Sequence, residues 1–125
     1  MNSEPLLYAE LSDKIIGAGM KVLNALKPGL NEKAYENALV IELRIHGHHA
    51  EQQRQFDVRY EGQVVDTLIP DLMVDTLFVV DPKVCESFTP THLSQMIGYL
   101  TITNLRLALL LNFKHSSLGW KRVIR

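Results

Sequence analysis

Residues 70–83 read Pro-Asp-Leu-Met-Val-Asp-Thr-Leu-Phe-Val-Val-Asp-Pro-Lys, and this stretch carries the clearest strand signals in the chain. It contains two short apolar runs, one on either side of Asp75-Thr76; Asp71 and Asp75 bound the first, and Thr76 and Asp81 bound the second. Short apolar runs with such boundaries are typical of strands. The second run, Leu77 to Val80, is apolar on both faces, which indicates a strand covered on two sides. We therefore predict two consecutive strands within a buried sheet.

Three charged residues in this stretch can meet at one point. Directly opposed residues of an antiparallel pair share a face, and so do residues two apart on one strand, such as Asp81 and Lys83. A two-residue loop at Asp75-Thr76 would place Asp71 opposite Val80 and send Asp81 to the other face. A three-residue loop, or a bulge, would place Asp71 opposite Asp81. The sequence leaves both registers open.

Two carboxylates beside an ammonium group suit metal-dependent phosphate chemistry. Mg²⁺ prefers oxygen ligands and keeps several waters, and a nearby lysine can orient or deprotonate the attacking water or stabilise charge on the phosphate. The alternative is that Asp71 and Asp81 merely end strands and that Lys83 is solvated. Asp81 follows a buried apolar run, where an unpaired charge is costly, and this favours the metal site.

Two helices are predicted before this stretch. The first begins at Ser3 or Ser12 and ends at Pro28-Gly29, and the second runs from Asn31, a good N-cap, to about His46. The second helix carries an apolar stripe of Ala34, Ala38, Ile41 and Ile45, and a different face made of Glu32, Tyr35, Leu39 and Glu42.

The remaining elements follow the same patterns. Phe56 to Tyr60 alternates as a strand, Glu61-Gly62 indicates a turn, and Val64 to Val74 is an extended segment interrupted by Pro70. Pro90-Thr91 opens a third helix with Leu93, Met96, Ile97 and Leu100 inward and with His92, Gln95 and Tyr99 on a neighbouring face. Strands at Leu107–Phe113 and Trp120–Ile124 complete the order of two helices, three strands, one helix and two strands. We predict one α/β domain spanning residues 1–125.

Composition restricts the function classes. The chain has 125 residues, a formal net charge of -1 and one cysteine, Cys85, which excludes an intramolecular disulfide. No apolar run is long enough to span a bilayer, and the first residues do not have the pattern of a signal peptide, so we expect a cytoplasmic protein without membrane contact. The cations Lys121, Arg122 and Arg125 fit a solvated edge strand or a phosphate-contacting strand equally well. His46, His48 and His49 are expected to form a solvated loop, with a zinc site as the weaker alternative.

A second motif lies upstream, where Gly29, Glu32 and Tyr35 form the pattern Gly-x-x-Glu-x-x-Tyr. It resembles the signature of the small GxxExxY proteins, which are assigned to the PD-(D/E)XK nuclease superfamily. The resemblance covers nearly the whole chain, in the right order: residues 26–30, Asp71 with Asp81-Pro82-Lys83, residues 95–100, residues 109–113 and residues 121–125.

The resemblance implies a restriction-endonuclease-like αβββαβ core with a mixed central sheet flanked by helices. It implies Asp71 and Asp81 as metal ligands, Lys83 as the catalytic lysine and Glu32 as an additional acid and ligand. Gln95 and Tyr99 would be accessory polar residues of the catalytic site. The cofactor would be Mg²⁺ or Mn²⁺, and the substrate would be nucleic acid, with DNA as the expected form.

Two positions depart from the family pattern. Pro82 replaces an apolar residue between the acid and the lysine, and Ile69 stands where a basic residue is frequent. Two hypotheses follow: a Mg²⁺-dependent DNA nuclease, and an inactive nuclease-fold module that binds nucleic acid or a protein partner. Because the domain is small, enclosing a duplex would require a homodimer or a larger protein partner.

Overall fold

The elements of the protein were assigned from a computed structural model, which describes residues 4–125 and the side chains from residue 8 onward. In chain order they are α1 (Glu4–Leu26), α2 (Glu32–Ile45), β1 (Ala50–Gln52), β2 (Phe56–Tyr60), β3 (Gln63–Leu68), β4 (Leu72–Val74), β5 (Phe78–Lys83), α3 (Pro90–Thr103), β6 (Leu107–Asn112) and β7 (Gly119–Ile124).

Five strands form a mixed sheet in the order β1-β4-β5-β6-β7. The pairs β1–β4, β4–β5 and β6–β7 are antiparallel, whereas β5 and β6 are parallel. Parallel neighbours need a long crossover connection, and here α3 supplies it. The predicted α/β class with a mixed central sheet flanked by helices is confirmed.

Alternating side chains of the sheet pack against different helices. One face belongs to a core shared with α1 and α2, and it includes Val80 of β5 and Leu109 of β6. The other face packs on α3 and includes Val79, Leu110 and Val123. Since successive side chains of a strand point to opposite faces, Asp81 lies with Val79 on the α3 face.

The middle of the chain differs from the prediction. Val64 to Val74 is not one extended segment, because β3 pairs with β2 in a separate two-stranded sheet and β4 joins the main sheet. Residues 69–71, with Pro70 at their centre, separate the two strands. The sequence pattern also missed β1, whose three residues pair with β4. Two of those residues are Glu51 and Gln52, so β1 has no apolar run to reveal it.

The two N-terminal helices also require corrections. The first begins at Glu4 rather than at Ser12, whose buried hydroxyl donates to the carbonyl of Ala9 at 3.0 Å; Ser3 lies outside the described residues. In α2 the apolar stripe is not the buried face, since Ile41 and Ile45 are 61% and 69% exposed. The buried positions of α2 are Tyr35, Glu36, Leu39, Val40, Glu42 and Leu43.

The connection between β4 and β5 decides where the acids point. Leu72 pairs with Val80 and Val74 pairs with Phe78, so three residues, 75–77, form the loop. Of the two registers that the sequence allowed, this is the one that places Asp71 opposite Asp81.

No helix among the described residues is both long and apolar enough to cross a membrane.

Candidate active site

Two carboxyl groups meet at one end of the sheet. Asp71 immediately precedes β4, and extending the β4–β5 register by one position places it opposite Asp81. The carboxyl of Asp71 is close enough to that of Asp81 to contribute, after burial, to raising the pKa of Asp81. Asp81 is 2% exposed, whereas Asp71 is half-buried and open to the surface. The structure therefore brings together the two acids that the sequence singled out.

Lys83 completes the cluster from the same strand. Its Nζ lies 3.1 Å from Oδ2 of Asp81, and its side chain is 16% exposed. Burial on its own would lower the pKa of Lys83, but the charges of Asp81, Glu32 and Asp71 outweigh it and raise the pKa. The lysine is therefore held as an ammonium ion.

Asp81 is in an environment that disfavours its charge. Burial, together with the neighbouring carboxyl of Asp71, raises its pKa from 3.8 to about 7, and Lys83 opposes this increase only in part. Its second oxygen, Oδ1, is buried and has no hydrogen-bond partner among the described residues. A buried acceptor without a donor costs about 1–3 kcal/mol, and more when it is charged.

Pro82 leaves the geometry of β5 intact. The strand continues through Pro82 in register with Leu111, and the amide of Phe113 donates to the carbonyl of Lys83 at 2.9 Å. Since backbone groups of successive residues point to opposite edges of a strand, the polar groups of Pro82 face the β4 side. Pairing with β4 ends at Val80, so the missing N–H of Pro82 removes no ladder bond.

The Gly-x-x-Glu-x-x-Tyr motif positions an acid beside this cluster. The hydroxyl of Tyr35 donates to the carbonyl of Lys27 at 2.6 Å and accepts from the amide of Leu30 at 3.1 Å. These bonds fix the turn before α2, in which Gly29 adopts a φ of 116°. The Tyr35 ring also stacks on Phe113, with 4.7 Å between the ring centroids.

Glu32 lies at the first position of α2, next to the residue that follows β5. Its Oε1 accepts from the amide of Val84 at 3.0 Å, directly after β5, and its charge acts on Lys83. Glu32 itself is exposed. The structure thus places the predicted additional acid at the same end of β5.

The accessory residues of α3 face the acids. The amide of Gln95 donates to the hydroxyl of Tyr99 at 3.1 Å. Burial raises the pKa of Tyr99, and the charges of Asp81 and Asp71 raise it further, so the phenol lies within electrostatic reach of both. All six predicted site residues therefore lie around the same end of the sheet.

A supporting cluster behind Asp71 was missed in the sequence. Glu36 is 4% exposed, accepts from Lys33 at 2.9 Å and accepts from the Gln52 amide at 2.6 Å. The next residue, Gln53, donates its amide to the carbonyl of Asp71 at 3.3 Å. The available signal was that Glu36 lies one helical turn after Glu32, on the same side of α2.

Asn112 ties together the loops that flank the site. Its Oδ1 accepts from the amides of Cys85 and Lys114, at 3.2 and 3.1 Å, and its Nδ2 donates to the carbonyl of Cys85 at 2.7 Å. Asn112 is therefore a hydrogen-bonding residue at the end of β6. Burial raises the pKa of the Cys85 thiol, which disfavours its use as a nucleophile.

The three histidines do not form a metal site with one another. His46 contacts Glu42 at 2.7 Å, His48 contacts Asp75 at 2.9 Å and His49 contacts Glu51 at 3.0 Å. A cavity of about 390 Å³ beside α1 and α2 is lined by His46, His48, Glu42, Lys14 and Lys21, among others. None of the predicted site residues lines this cavity.

The described residues contain no group of three or more His, Cys, Asp or Glu side chains close enough to hold a metal ion. The close carboxylates are therefore two, Asp71 and Asp81, with Glu32 farther away. Two are sufficient for Mg²⁺, which is usually bound through one or two carboxylates and retains several waters. The unpartnered Oδ1 of Asp81 is the kind of oxygen that such a cation would satisfy.

Comparisons with known proteins agree with this geometry. Residues 9–123 match a family model described as the PD-(D/E)XK nuclease superfamily. A crystal structure of an alkaline exonuclease (LHK-Exo) from Laribacter hongkongensis is similar in fold, with a TM-score of 0.52 and 12% sequence identity. The similarity covers 90% of this chain and 82% of the exonuclease chain, and the predicted restriction-endonuclease-like core is confirmed. No curated protein matches the chain.

Proposed function

The chain belongs to the PD-(D/E)XK nuclease superfamily, and from this premise we propose that it is a divalent-metal-dependent phosphodiester hydrolase acting on DNA. The observation that carries the proposal is the buried Oδ1 of Asp81, which has no donor although it lies beside Asp71 and Lys83. A structural ion pair would satisfy both oxygens of a buried carboxylate. A carboxylate that binds a cation needs an oxygen that does not already accept a hydrogen bond.

In this proposal Asp71 and Asp81 hold Mg²⁺ or Mn²⁺, and Glu32 is an additional acid that contacts the hydrated ion. A bound divalent cation would lower the pKa of a coordinated water and neutralise charge on the phosphate. The residues suit such an ion because both close ligands are hard carboxylate oxygens, and because two neighbouring carboxylates otherwise repel each other.

Lys83 acts as a positioned cation. Its raised pKa keeps it protonated, so it donates hydrogen bonds and cannot take a proton from water. An ammonium ion held at the end of β5 is suited to stabilise the negative charge that builds up on phosphate oxygens. Its bond to Oδ2 of Asp81 fixes its position, and this bond leaves Oδ1 available for the cation.

The residues of α3 act on the substrate side of the cluster. The Gln95 amide is hydrogen-bonded to the Tyr99 hydroxyl, and Tyr99 lies within electrostatic reach of Asp71 and Asp81. We assign them to contacts with the sugar-phosphate backbone next to the scissile bond. The motif from Gly29 to Tyr35, which positions Glu32, also leads us to assign the chain to the GxxExxY group within the superfamily.

The inactive-module hypothesis was based on Pro82, on the near-neutral charge balance and on the small size of the domain. The concern with Pro82 was that a kink in β5 would carry Lys83 away from the acids. The strand is continuous and Lys83 reaches Asp81, so that objection is weakened. Activity itself distinguishes the two hypotheses.

The test is cleavage of labelled single- and double-stranded DNA with Mg²⁺ or Mn²⁺. We expect cleavage by the wild type, its loss in Lys83→Ala and in Asp81→Asn, and its retention in Pro82→Leu. Lys114→Ala is a matched control. Lys114 is a partly exposed lysine in the loop after β6, and it forms an ion pair with Glu86. A wild type that cleaves neither substrate with either cation would refute the hydrolase proposal, and cleavage that survives both site variants would indicate a contaminant.

A further inference from the structure

The outer edge of β7 has backbone groups that no other strand pairs. β7 ends the five-stranded sheet, and β6 is its neighbour. The amide of Arg125 donates to the carbonyl of Arg106 at 3.0 Å, and hydrogen-bonded pairs recur at every second residue of an antiparallel ladder. The backbone groups of Trp120, Arg122 and Ile124 therefore point away from β6. None of the residues that the structure describes forms a hydrogen bond with these outward groups.

The side chains of this edge alternate between the two faces of the sheet. Trp120 and Ile124 lie on the face that packs on α1 and α2, because their β6 partners belong to that core, yet they are 48% and 63% exposed. Arg122 lies between them on the same face. Lys121 lies on the α3 face, two residues from Val123. The edge thus presents two apolar groups and one cation on one face, and a second cation on the other.

Both cations lack an acidic partner. Lys121 and Arg122 form no ion pair with any residue whose side chain the structure describes, 8–125. Arg122 is half-buried, and its Nε is buried without a hydrogen-bond partner among those residues. A buried donor without an acceptor is costly, and more so when it belongs to a charged group. A carboxylate from outside the described residues would supply an acceptor to this guanidinium.

The alternation favours a peptide strand over the other possible occupants. Lys121 and Arg122 point to opposite faces, so one nucleic-acid backbone lying on either face would reach only one of them. A second copy paired through β7 would bring like charges together, because a register centred on Lys121 or on Arg122 places that cation opposite its own counterpart. An added strand pairs with the outward backbone groups and presents alternate side chains to both faces.

We propose that β7 binds an extended acidic segment of a protein partner, which joins the sheet as a sixth strand. Carboxylates of the segment lie opposite Arg122 on one face and opposite Lys121 on the other, and apolar side chains lie opposite Trp120 and Ile124. Antiparallel pairing is the more stable arrangement, and it requires the order apolar, any, acidic, acidic, apolar, as in Ile-Thr-Glu-Glu-Val. Cations that only protect an exposed edge from aggregation would bind no such segment.

The test is a titration of the ¹⁵N-labelled protein with a capped peptide that contains Ile-Thr-Glu-Glu-Val, followed through the amide chemical shifts. We expect saturable shifts that are largest at Trp120, Arg122 and Ile124, whose amides would enter the new ladder. A peptide with glutamine in place of both glutamates should bind roughly tenfold more weakly, because two charge-assisted contacts are lost. N-methylation of the first glutamate should abolish binding, because its amide would donate to the outward carbonyl of Arg122.

Exchange of charge between the two partners tests the predicted register. Lys121→Glu should weaken binding of the original peptide and restore it for a peptide with lysine in place of the second glutamate. Lys14→Gln is the control, because it removes a positive charge at an exposed position of α1 and should leave both affinities unchanged.

Three results would overturn the inference. The first is the absence of shifts along β7, or equal binding of the N-methylated peptide. The second is a wild-type dimer that buries β7, which would assign the edge to a second copy. The third is a DNA duplex that shifts the β7 amides while the acidic peptide does not. Each of these outcomes is independent of DNA cleavage, so the partner site and the hydrolase can fail separately.

Discussion

Replacing Asp81 by asparagine should stabilise the metal-free protein at alkaline pH. The folded protein keeps the proton of this carboxyl up to about pH 7, whereas the unfolded chain releases it near 3.8. The folded state therefore binds more protons between these two values. Since the unfolded state binds fewer, the free energy of unfolding falls as the pH rises through this range.

The size of the effect follows from the shift. Each pKa unit corresponds to 1.36 kcal/mol, so a shift of roughly three units sets a ceiling of about 4 kcal/mol on the cost of the ionised group. Asparagine has nearly the same shape and no charge to desolvate. We expect Asp81→Asn to raise the free energy of unfolding by about 1 to 4 kcal/mol at pH 8 and by much less at pH 5.

Urea unfolding at pH 5 and pH 8, in EDTA, measures this difference through the transition midpoint. Asp13→Asn is a suitable control, because it makes the same chemical change at an exposed position on α1, outside the candidate site. If Asp81→Asn were equally destabilised at both pH values, Asp81 would be a stabilising structural ion pair. The conclusion that ionised Asp81 destabilises the metal-free fold, because its Oδ1 has no hydrogen-bond partner, would then be wrong.

Three further changes test other parts of the site. Mg²⁺ or Mn²⁺ should raise the thermal midpoint of the wild type, because a ligand that binds only the folded state stabilises it, and Asp71→Asn should abolish the rise; an equal rise in both proteins would place the cation elsewhere. Tyr35→Phe should lower the free energy of unfolding by about 1–2 kcal/mol in urea, because two hydrogen bonds to the turn before α2 are lost, and an unchanged midpoint would contradict their role. Asn112→Ala should accelerate amide hydrogen exchange at Cys85, whose amide it accepts from, whereas unchanged exchange would show that other contacts hold this loop.

Elements with local signals were predicted well. The third helix begins at Pro90, as expected, because Thr89 caps it: its hydroxyl accepts from the amide of His92 at 3.2 Å, and the His92 ring accepts from the amide of Thr89 at 3.1 Å. Both partners lie within four residues of sequence, so the boundary is encoded locally.

The register between Asp71 and Asp81 could not be predicted, since long-range contacts hold its loop. Asp75 and Thr76 adopt φ values of 53° and 56°, a region that residues other than glycine rarely occupy. The Asp75 carboxylate accepts from the amide of His49 at 2.8 Å and contacts the ring of His48. These partners are 26 and 27 residues away, so no local pattern indicates the three-residue connection.

The buried face of α2 was predicted wrongly for a related reason. A count of apolar residues selects Ile41 and Ile45, yet the helix buries Glu36 and Glu42. Each buried carboxylate has cationic or amide partners from elsewhere in the fold, such as Lys21 for Glu42 and Gln52 for Glu36. Periodicity assumes that charged residues face water, and it fails where tertiary partners satisfy them.

Asp81 was conspicuous in the sequence for the opposite reason, because no partner fully satisfies it. It interrupts the apolar positions on the α3 face of a buried strand, where local rules require another residue like Val79. The fold could have removed the penalty with a second donor, as it does for Glu36, but Oδ1 is left without one. The other buried acids of the chain have hydrogen-bond partners, whereas Asp81 has one oxygen without a partner. The free-energy cost of burying that oxygen therefore falls at the position where a bound cation can offset it. The same incompleteness explains why the residue was visible in the sequence and why its chemistry is expected to depend on a metal ion.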